Sequence, residues 1–195
     1  MYYIWRILIF SQSYMKLFHS LVLCLLFFPL IKTIAQDTLS VEENQFKIDF
    51  LNPGFTYEHG LTTNSTLFTE AGLALAYSYN EYYGSSFIMT PFISEEYRYY
   101  YNFERRIKKG KNIARNSGNY VGLNASYYFV PLGHENENFV GGTQLAAFYG
   151  LQRTNRRGFN VEYQVGVAYQ ISKADDDGFT PYFRFAMGWV LGKKK

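Results

Sequence analysis

From about Gln45 to Leu191 the chain alternates between apolar and polar or small residues with a period of two. The segment from Phe159 to Ile171 shows it most fully. Phe159, Val161, Tyr163, Val165, Val167, Tyr169 and Ile171 are apolar or aromatic, and the positions between them are Asn160, Glu162, Gln164, Gly166, Ala168 and Gln170. Successive side chains of a strand point to opposite faces, so this pattern describes a strand with one greasy and one polar or cramped wall. The pattern predicts strands at 45–51, 54–60, 65–79, 86–101, 118–130, 138–150, 159–171 and 179–191. Short connections between them predict an all-β fold, an eight-stranded antiparallel up-and-down barrel. Asn52-Pro53 separates the first two strands, because Pro favours a turn. A single bent strand through Pro53 would leave seven strands, against the even number usual for such a barrel.

The apolar wall is continuous and rich in aromatic residues, while the opposite wall carries many Gly and Ala and few charges. A soluble lipocalin-like barrel or β-sandwich would turn the apolar wall inward and need a charged exterior. The chain supplies no such exterior, so the expected barrel is transmembrane, with its apolar wall toward lipid. Composition fits this. Hydrophobic residues make up 48% and aromatic residues 20%, with 19 Tyr and 18 Phe, yet mean hydropathy is only −0.19. Alternation dilutes hydropathy in membrane strands.

Met15-Lys16, an apolar run from Leu21 to Ile31 and the small-residue site Thr33-Ile34-Ala35 read as a secretory signal peptide over 1–35, with Met15 a candidate true start. The run is roughly half of the ~20 residues that a helical anchor needs. Cys24 is the sole cysteine and lies in the leader. Leu23 stands before it where a lipoprotein site takes a small residue, and the mature part has no cysteine for a disulfide or metal site. Residues 36–44 form a short periplasmic segment and 45–192 the barrel. The leader holds Arg6, Lys16 and Lys32 and no acid, so its removal leaves acidic and basic side chains in equal number. That balance does not suit a nucleic-acid-binding protein.

With both ends in the periplasm, connections 52–53, 80–85, 131–137 and 172–178 face outside and 61–64, 102–117 and 151–158 face inside. The outside set carries Glu81, Glu135, Glu137 and Asp175 to Asp177 against Lys173. The inside set carries Arg105, Arg106, Lys108, Lys109, Lys111, Arg115, Arg153, Arg156 and Arg157 against Glu104. Strand direction puts Tyr77, Tyr79, Tyr127 and Tyr169 in an outer aromatic girdle, and Tyr97, Tyr99, Tyr101, Tyr149 and Trp189 in an inner one, as a barrel crossing two interfaces needs.

Inward positions include Lys47, Asp49, Glu58, Glu70, Glu96, Arg98, Glu162 and Arg184, a structural charge network. An eight-stranded barrel is just wide enough for side chains to fill, and charges buried there need partners. A filled lumen is the first expectation and a narrow, charge-lined ion path the alternative. Strict alternation sends Glu95 into lipid unless a β-bulge between Pro91 and Glu96 turns it inward. His134-Glu135 and Ser126 are candidate parts of a hydrolase triad, and Asp175-Asp176-Asp177 is a candidate divalent-cation loop. No motif places Ser126 and His134 together, and a plain acidic turn accounts for the three aspartates, so no catalytic residue, cofactor or metal is expected. The aromatic and basic run Tyr97–Arg115 resembles a nucleic-acid surface only superficially.

The leader ending Ile34-Ala35-Gln36, the opening Phe46-Lys-Ile-Asp-Phe-Leu-Asn-Pro-Gly-Phe-Thr-Tyr-Glu58, Glu96-Tyr-Arg-Tyr-Tyr-Tyr-Asn102 and the closing strand Tyr182-Phe-Arg-Phe-Ala-Met-Gly-Trp-Val190 carry a resemblance. The chain resembles the small outer-membrane β-barrel proteins of Gram-negative bacteria, with an OmpA/OmpX-like barrel domain. The resemblance implies a non-enzymatic protein of structural or surface role. Its implied partners are outer-membrane lipid and lipopolysaccharide, with periplasmic chaperones and the barrel assembly machinery during biogenesis. The alternatives are a narrow ion channel and an outer-leaflet lipid-modifying enzyme. Leu191-Gly-Lys-Lys-Lys195 after Trp189 departs from the aromatic final residue that assembly signals favour.

Overall fold

The computed structural model describes residues 41–80, 84–133, 141–172 and 177–191. The expected leader and residues 36–40 lie outside the described residues. Eight strands follow one another: β1 (Asn44–Asp49), β2 (Gly54–Gly60), β3 (Ser65–Asn80), β4 (Gly84–Tyr99), β5 (Asn119–Tyr128), β6 (Gly142–Thr154), β7 (Phe159–Ser172) and β8 (Gly178–Leu191). Each pairs antiparallel with the next, and β1 pairs with β8 to close the ring. The turn at 50–53 separates β1 from β2, so the opening segment is two strands and not one bent strand.

Alternation builds the wall as the pattern requires. On β7, Asn160, Glu162, Gln164 and Ala168 are buried, while Tyr163, Val165 and Val167 are 50%, 47% and 54% exposed. The apolar side faces out and the polar side faces in, the reverse of a soluble core. The two ends of the barrel also differ. The near rim holds residue 41, the end of β8 and the connections 61–64, 100–118 and 155–158. Among the described residues the far rim holds 80, 84, 129–133 and 177, while the β1–β2 turn at 50–53 stops short of it, with pairing no further than Gly72 of β3 and Gly188 of β8.

Several boundaries differ from the sequence reading by one or two residues, and those of β6 by four. β1 ends at Asp49, and β4 ends at Tyr99, so Tyr101 sits in the following turn. β6 runs Gly142–Thr154 and not 138–150; residues 138–140 lie outside the described residues. The polar ending Gln152-Arg153-Thr154 stays in the sheet because its groups are met. Arg153 donates to Gly118 O and Asn119 Oδ1, and Thr154 N donates to Ser117 Oγ. The turn after it shrinks to 155–158, where Asn155 Oδ1 accepts from the Arg157 and Phe159 amides and Gly158 takes φ +94°.

The long connection 100–118 is a folded cap. It contains α1 (Phe103–Lys108) and a 3-10 turn at Ala114–Asn116. Arg115 and Asn116 both hold left-handed backbone, at φ 54° and 56°, which is uncommon outside glycine. The segment before β1 fixes them: Arg115 N donates to Glu42 Oε1 and Glu42 N donates to Asn116 Oδ1.

The wall is not equally tall all round. β2 pairs with β3 only over Thr66–Gly72, and β1 pairs with β8 only over Gly188–Leu191. Among the described residues, 74–80 of β3 and 178–186 of β8 have no ladder partner on their facing sides. The short β1–β2 hairpin therefore leaves a notch in the far half of the wall.

Candidate functional site: the luminal network

Alternation directs charged side chains from six strands into one narrow interior, and closing the ring brings them together. The eight residues expected there all lie inside. Lys47, Asp49, Glu58, Glu70, Glu96, Arg98 and Glu162 are buried, and Arg184 is nearly so. Glu162 is the hub. It accepts from Arg98 and Arg184, and Lys47 Nζ lies 3.5 Å away. Arg98 also donates through Nε to Glu96 at 2.7 Å. Arg184 bridges Glu162 at 2.6 Å and Glu70 at 2.8 Å, with Asp49 at 3.9 Å. Lys47 donates to Gln152 Oε1 at 2.7 Å and pairs with Glu58 at 3.3 Å. Charge-assisted, forked bonds of this kind are about twice as strong as neutral ones.

Alternation alone marked these positions. It also marks aromatic residues on the inward face. Phe68, Tyr100, Tyr120, Phe148 and Tyr182 are buried inside the ring. The Arg98 guanidinium lies 3.3 Å from the Phe68 ring centre and 4.8 Å from that of Tyr120, a cation–π sandwich. Tyr100 packs on Phe103 of α1 and on Tyr120, and its hydroxyl donates to Glu58. The inward glycines of this half make room for rings. A Cβ on Gly150 would meet Tyr120, and one on Gly122 would meet Phe148. The near half is thus filled by ions and closed by aromatic rings. Gln164 ties the two together, donating to Glu96 and Glu162 and accepting from Tyr182.

Toward the far rim the filling gives way to a hollow of about 220 Å³, bordered by Glu70, Ser94, Asn124, Ser126, Tyr182 and Arg184. Asn124 and Ser126 bond to Ser94, and Asn124 also donates to Glu96. Ser126 therefore belongs to this polar chain. His134, Glu135, Asp175 and Asp176 lie outside the described residues. Among the described residues no three acidic, His or Cys side chains gather as a metal site.

The aromatic positions point outward. Tyr77, Tyr97, Tyr99, Tyr101, Tyr127, Tyr149 and Trp189 are exposed and Tyr169 is half-buried; the Tyr79 side chain lies outside the described residues. The β-bulge that would have turned Glu95 inward is absent, because the β3–β4 ladder runs unbroken from Ser65↔Tyr99 to Asn80↔Gly84. Glu95 faces outward, half-buried, and Thr69 Oγ1 donates to its Oε2 at 2.8 Å.

The fold and this interior define a closed antiparallel barrel with an apolar exterior and an ion-paired lumen. Comparison with family models, curated proteins and solved structures finds no match for the chain.

Proposed function

We propose that this chain is an integral outer-membrane β-barrel protein of a Gram-negative bacterium, non-enzymatic, with a structural or surface role and a filled near half. One observation carries this reading: the wall is inside out. Phe55, Phe179 and Phe183 are 71%, 78% and 75% exposed while Glu58, Glu96 and Arg98 are fully buried. In water such a wall would be an aggregation liability, far beyond the apolar patch of an ordinary monomer. In a bilayer it is the stable arrangement, and a ring of hydrogen-bonded strands is one of the two backbones that can span.

The filling favours a closed lumen over a narrow channel. Arg98, Glu96, Glu162 and Lys47 occupy the axis, and Tyr100, Tyr120 and Phe103 lie beneath them. The reading also takes lipid and lipopolysaccharide as surroundings, and periplasmic chaperones and the barrel assembly machinery as partners in biogenesis. Fractionation tests it. The mature protein is expected in outer membranes, with a shifted apparent mass on unheated gels. Recovery as a soluble periplasmic monomer would contradict it.

A further inference from the structure

We propose that Arg106 and Arg153 form a phosphate-binding site on the outer surface of the near rim, and that its ligand is the head of an anionic glycerophospholipid. The proposal rests on the membrane reading above and adds a ligand to it.

The cap and two strands assemble the site. On β6, Tyr149, Leu151 and Arg153 alternate with the buried Gly150, Gln152 and Thr154, so Arg153 stands on the outward face at the near end. Its two terminal nitrogens donate to Gly118 O at 2.7 Å and to Asn119 Oδ1 at 2.6 Å, which lays the guanidinium across the start of β5. Arg106 comes from α1. It donates to Asn112 O through Nε and Nη2, and Asn112 Nδ2 donates to Thr154 O, the residue after Arg153. The cap thus sets a second guanidinium beside the first.

Two half-buried cations at one spot oppose each other. Partial burial and then the Arg153 charge hold the Arg106 guanidinium below the usual arginine range. Bonds to carbonyls satisfy N–H groups but leave the charge uncancelled. Among the described residues neither arginine pairs with a carboxylate, and Glu104, the acid of α1, is taken by Lys108 at 3.0 Å. Arg106 Nη1 and Arg153 Nε also donate to no described group. A phosphate between the two guanidiniums accepts from both and removes their repulsion.

Depth selects the source of the phosphate. Tyr101 donates to the Tyr149 hydroxyl, which also accepts from Asn119 Nδ2, and Asn119 Oδ1 accepts from Arg153. The inner aromatic girdle is therefore continuous with the arginine pair. Tyrosine rings settle at the level of lipid head groups, so the pair lies at the depth of lipid phosphates. Below it on the same face of β5, Val121 and Leu123 are exposed, at the depth of acyl chains. A glycerophospholipid meets both surfaces, and a soluble phosphate meets only the first.

Charge selects the head. Two cations without an acid favour a head of net negative charge. A zwitterionic head would bring its ammonium toward the same guanidiniums. The site is also distinct from the general basicity of this rim: Lys111 lines a separate hollow with Arg115 and Arg156.

The test uses the refolded mature protein in non-ionic detergent and native mass spectrometry. The probes are phosphatidylglycerol, phosphatidylethanolamine with the same acyl chains, glycerol 3-phosphate and lipopolysaccharide. Phosphatidylglycerol is expected to bind about tenfold more tightly than phosphatidylethanolamine, the scale of one charge-assisted bond, with no retention of glycerol 3-phosphate. Arg106→Gln and Arg153→Gln are each expected to weaken it by a similar factor while keeping the gel shift of the folded barrel. Lys111→Gln is expected to leave it unchanged. A diazirine on the acyl chain is expected to label β5. Equal binding of the two phospholipids, or labelling spread evenly round the wall, would overturn the site, and these two readings decide the matter if a variant does not fold. An equal loss in Lys111→Gln would overturn it as well. Retention of glycerol 3-phosphate as firm as that of the lipid would overturn the lipid as ligand, and preference for lipopolysaccharide would overturn the glycerophospholipid. A barrel that inserts into bilayers yet shows no lipid preference overturns the site alone. One that never partitions into bilayers overturns the membrane reading as well.

Discussion

Arg98 on β4 and Glu162 on β7 meet across the lumen through two hydrogen bonds, of 3.3 and 2.9 Å. Both are buried, and both are held by further partners: Glu96 and two aromatic rings for Arg98, Arg184 and Lys47 for Glu162. Arg98→Met is therefore expected to leave Glu96 and Glu162 short of a cation and to destabilise the barrel by about 3–5 kcal/mol. The double variant Arg98→Met with Glu162→Gln is expected to recover part of that loss, because it removes a stranded charge. Urea unfolding in lipid vesicles measures both. A neutral Arg98→Met would mean that the network does not hold the near half together.

The wall makes its own demand. Val165 lies mid-strand on the outward face of β7. Val165→Arg is expected to cost about 2–4 kcal/mol, since it places a cation at hydrocarbon depth. Val165→Leu is expected to stay within about 0.5 kcal/mol. Equal tolerance of the two in the same vesicles would show that this face does not meet lipid.

Legibility followed the completeness of the alternation. β7 could be read almost to the residue because every odd position from Phe159 to Ile171 is apolar or aromatic. β6 is displaced from the sequence reading because Gln152, Arg153 and Thr154 look like a turn, yet they pair with Glu162, Val161 and Asn160 of β7 and find further partners in Gly118 O and Ser117 Oγ. The cap had no period to read. Tyr100, Phe103 and Ile113 come together through a short helix and a left-handed pair of residues, not through a repeat. The network's membership was legible from parity, since Glu162 and Arg184 fall on inward positions. Its pairing was not, because partners depend on strand register. Phe68 and Tyr120 were missed although parity marks them inward, because an inward aromatic looks like one more wall residue in so aromatic a chain. The notch showed in sequence only as two strands too short to span.

Orientation can be tested at the rims. Asp177 lies at the far rim and Arg156 at the near rim, and both are exposed. A cysteine replacing Asp177 is expected to react with an impermeant maleimide on intact cells. One replacing Arg156 is expected to react only after the outer membrane is opened. The reversed result would invert the topology.

The cap depends on Asn116. Its side chain accepts from Glu42 N and its backbone sits at φ 56°. Asn116→Ala removes a buried acceptor and leaves a Cβ in left-handed backbone. The expected cost is about 1–3 kcal/mol, chiefly the unpaired Glu42 amide, since Asn116 already carries the left-handed strain and alanine adds only its poorer tolerance of that backbone. Asn116→Gly keeps the backbone at ease and is expected to cost less. If the two variants unfold at the same urea concentration, the strain does not contribute.

The central claim is that the apolar face of this barrel meets hydrocarbon while its polar face is sealed inside. Spin labels placed singly at 160 to 169 of β7 in a reconstituted bilayer test it directly. The account predicts a period of two. Labels at 161, 163, 165, 167 and 169 should collide with oxygen dissolved in lipid and not with a water-soluble nickel complex, while the even positions should be shielded from both. Odd positions open to the nickel complex, or no alternation at all, would contradict it.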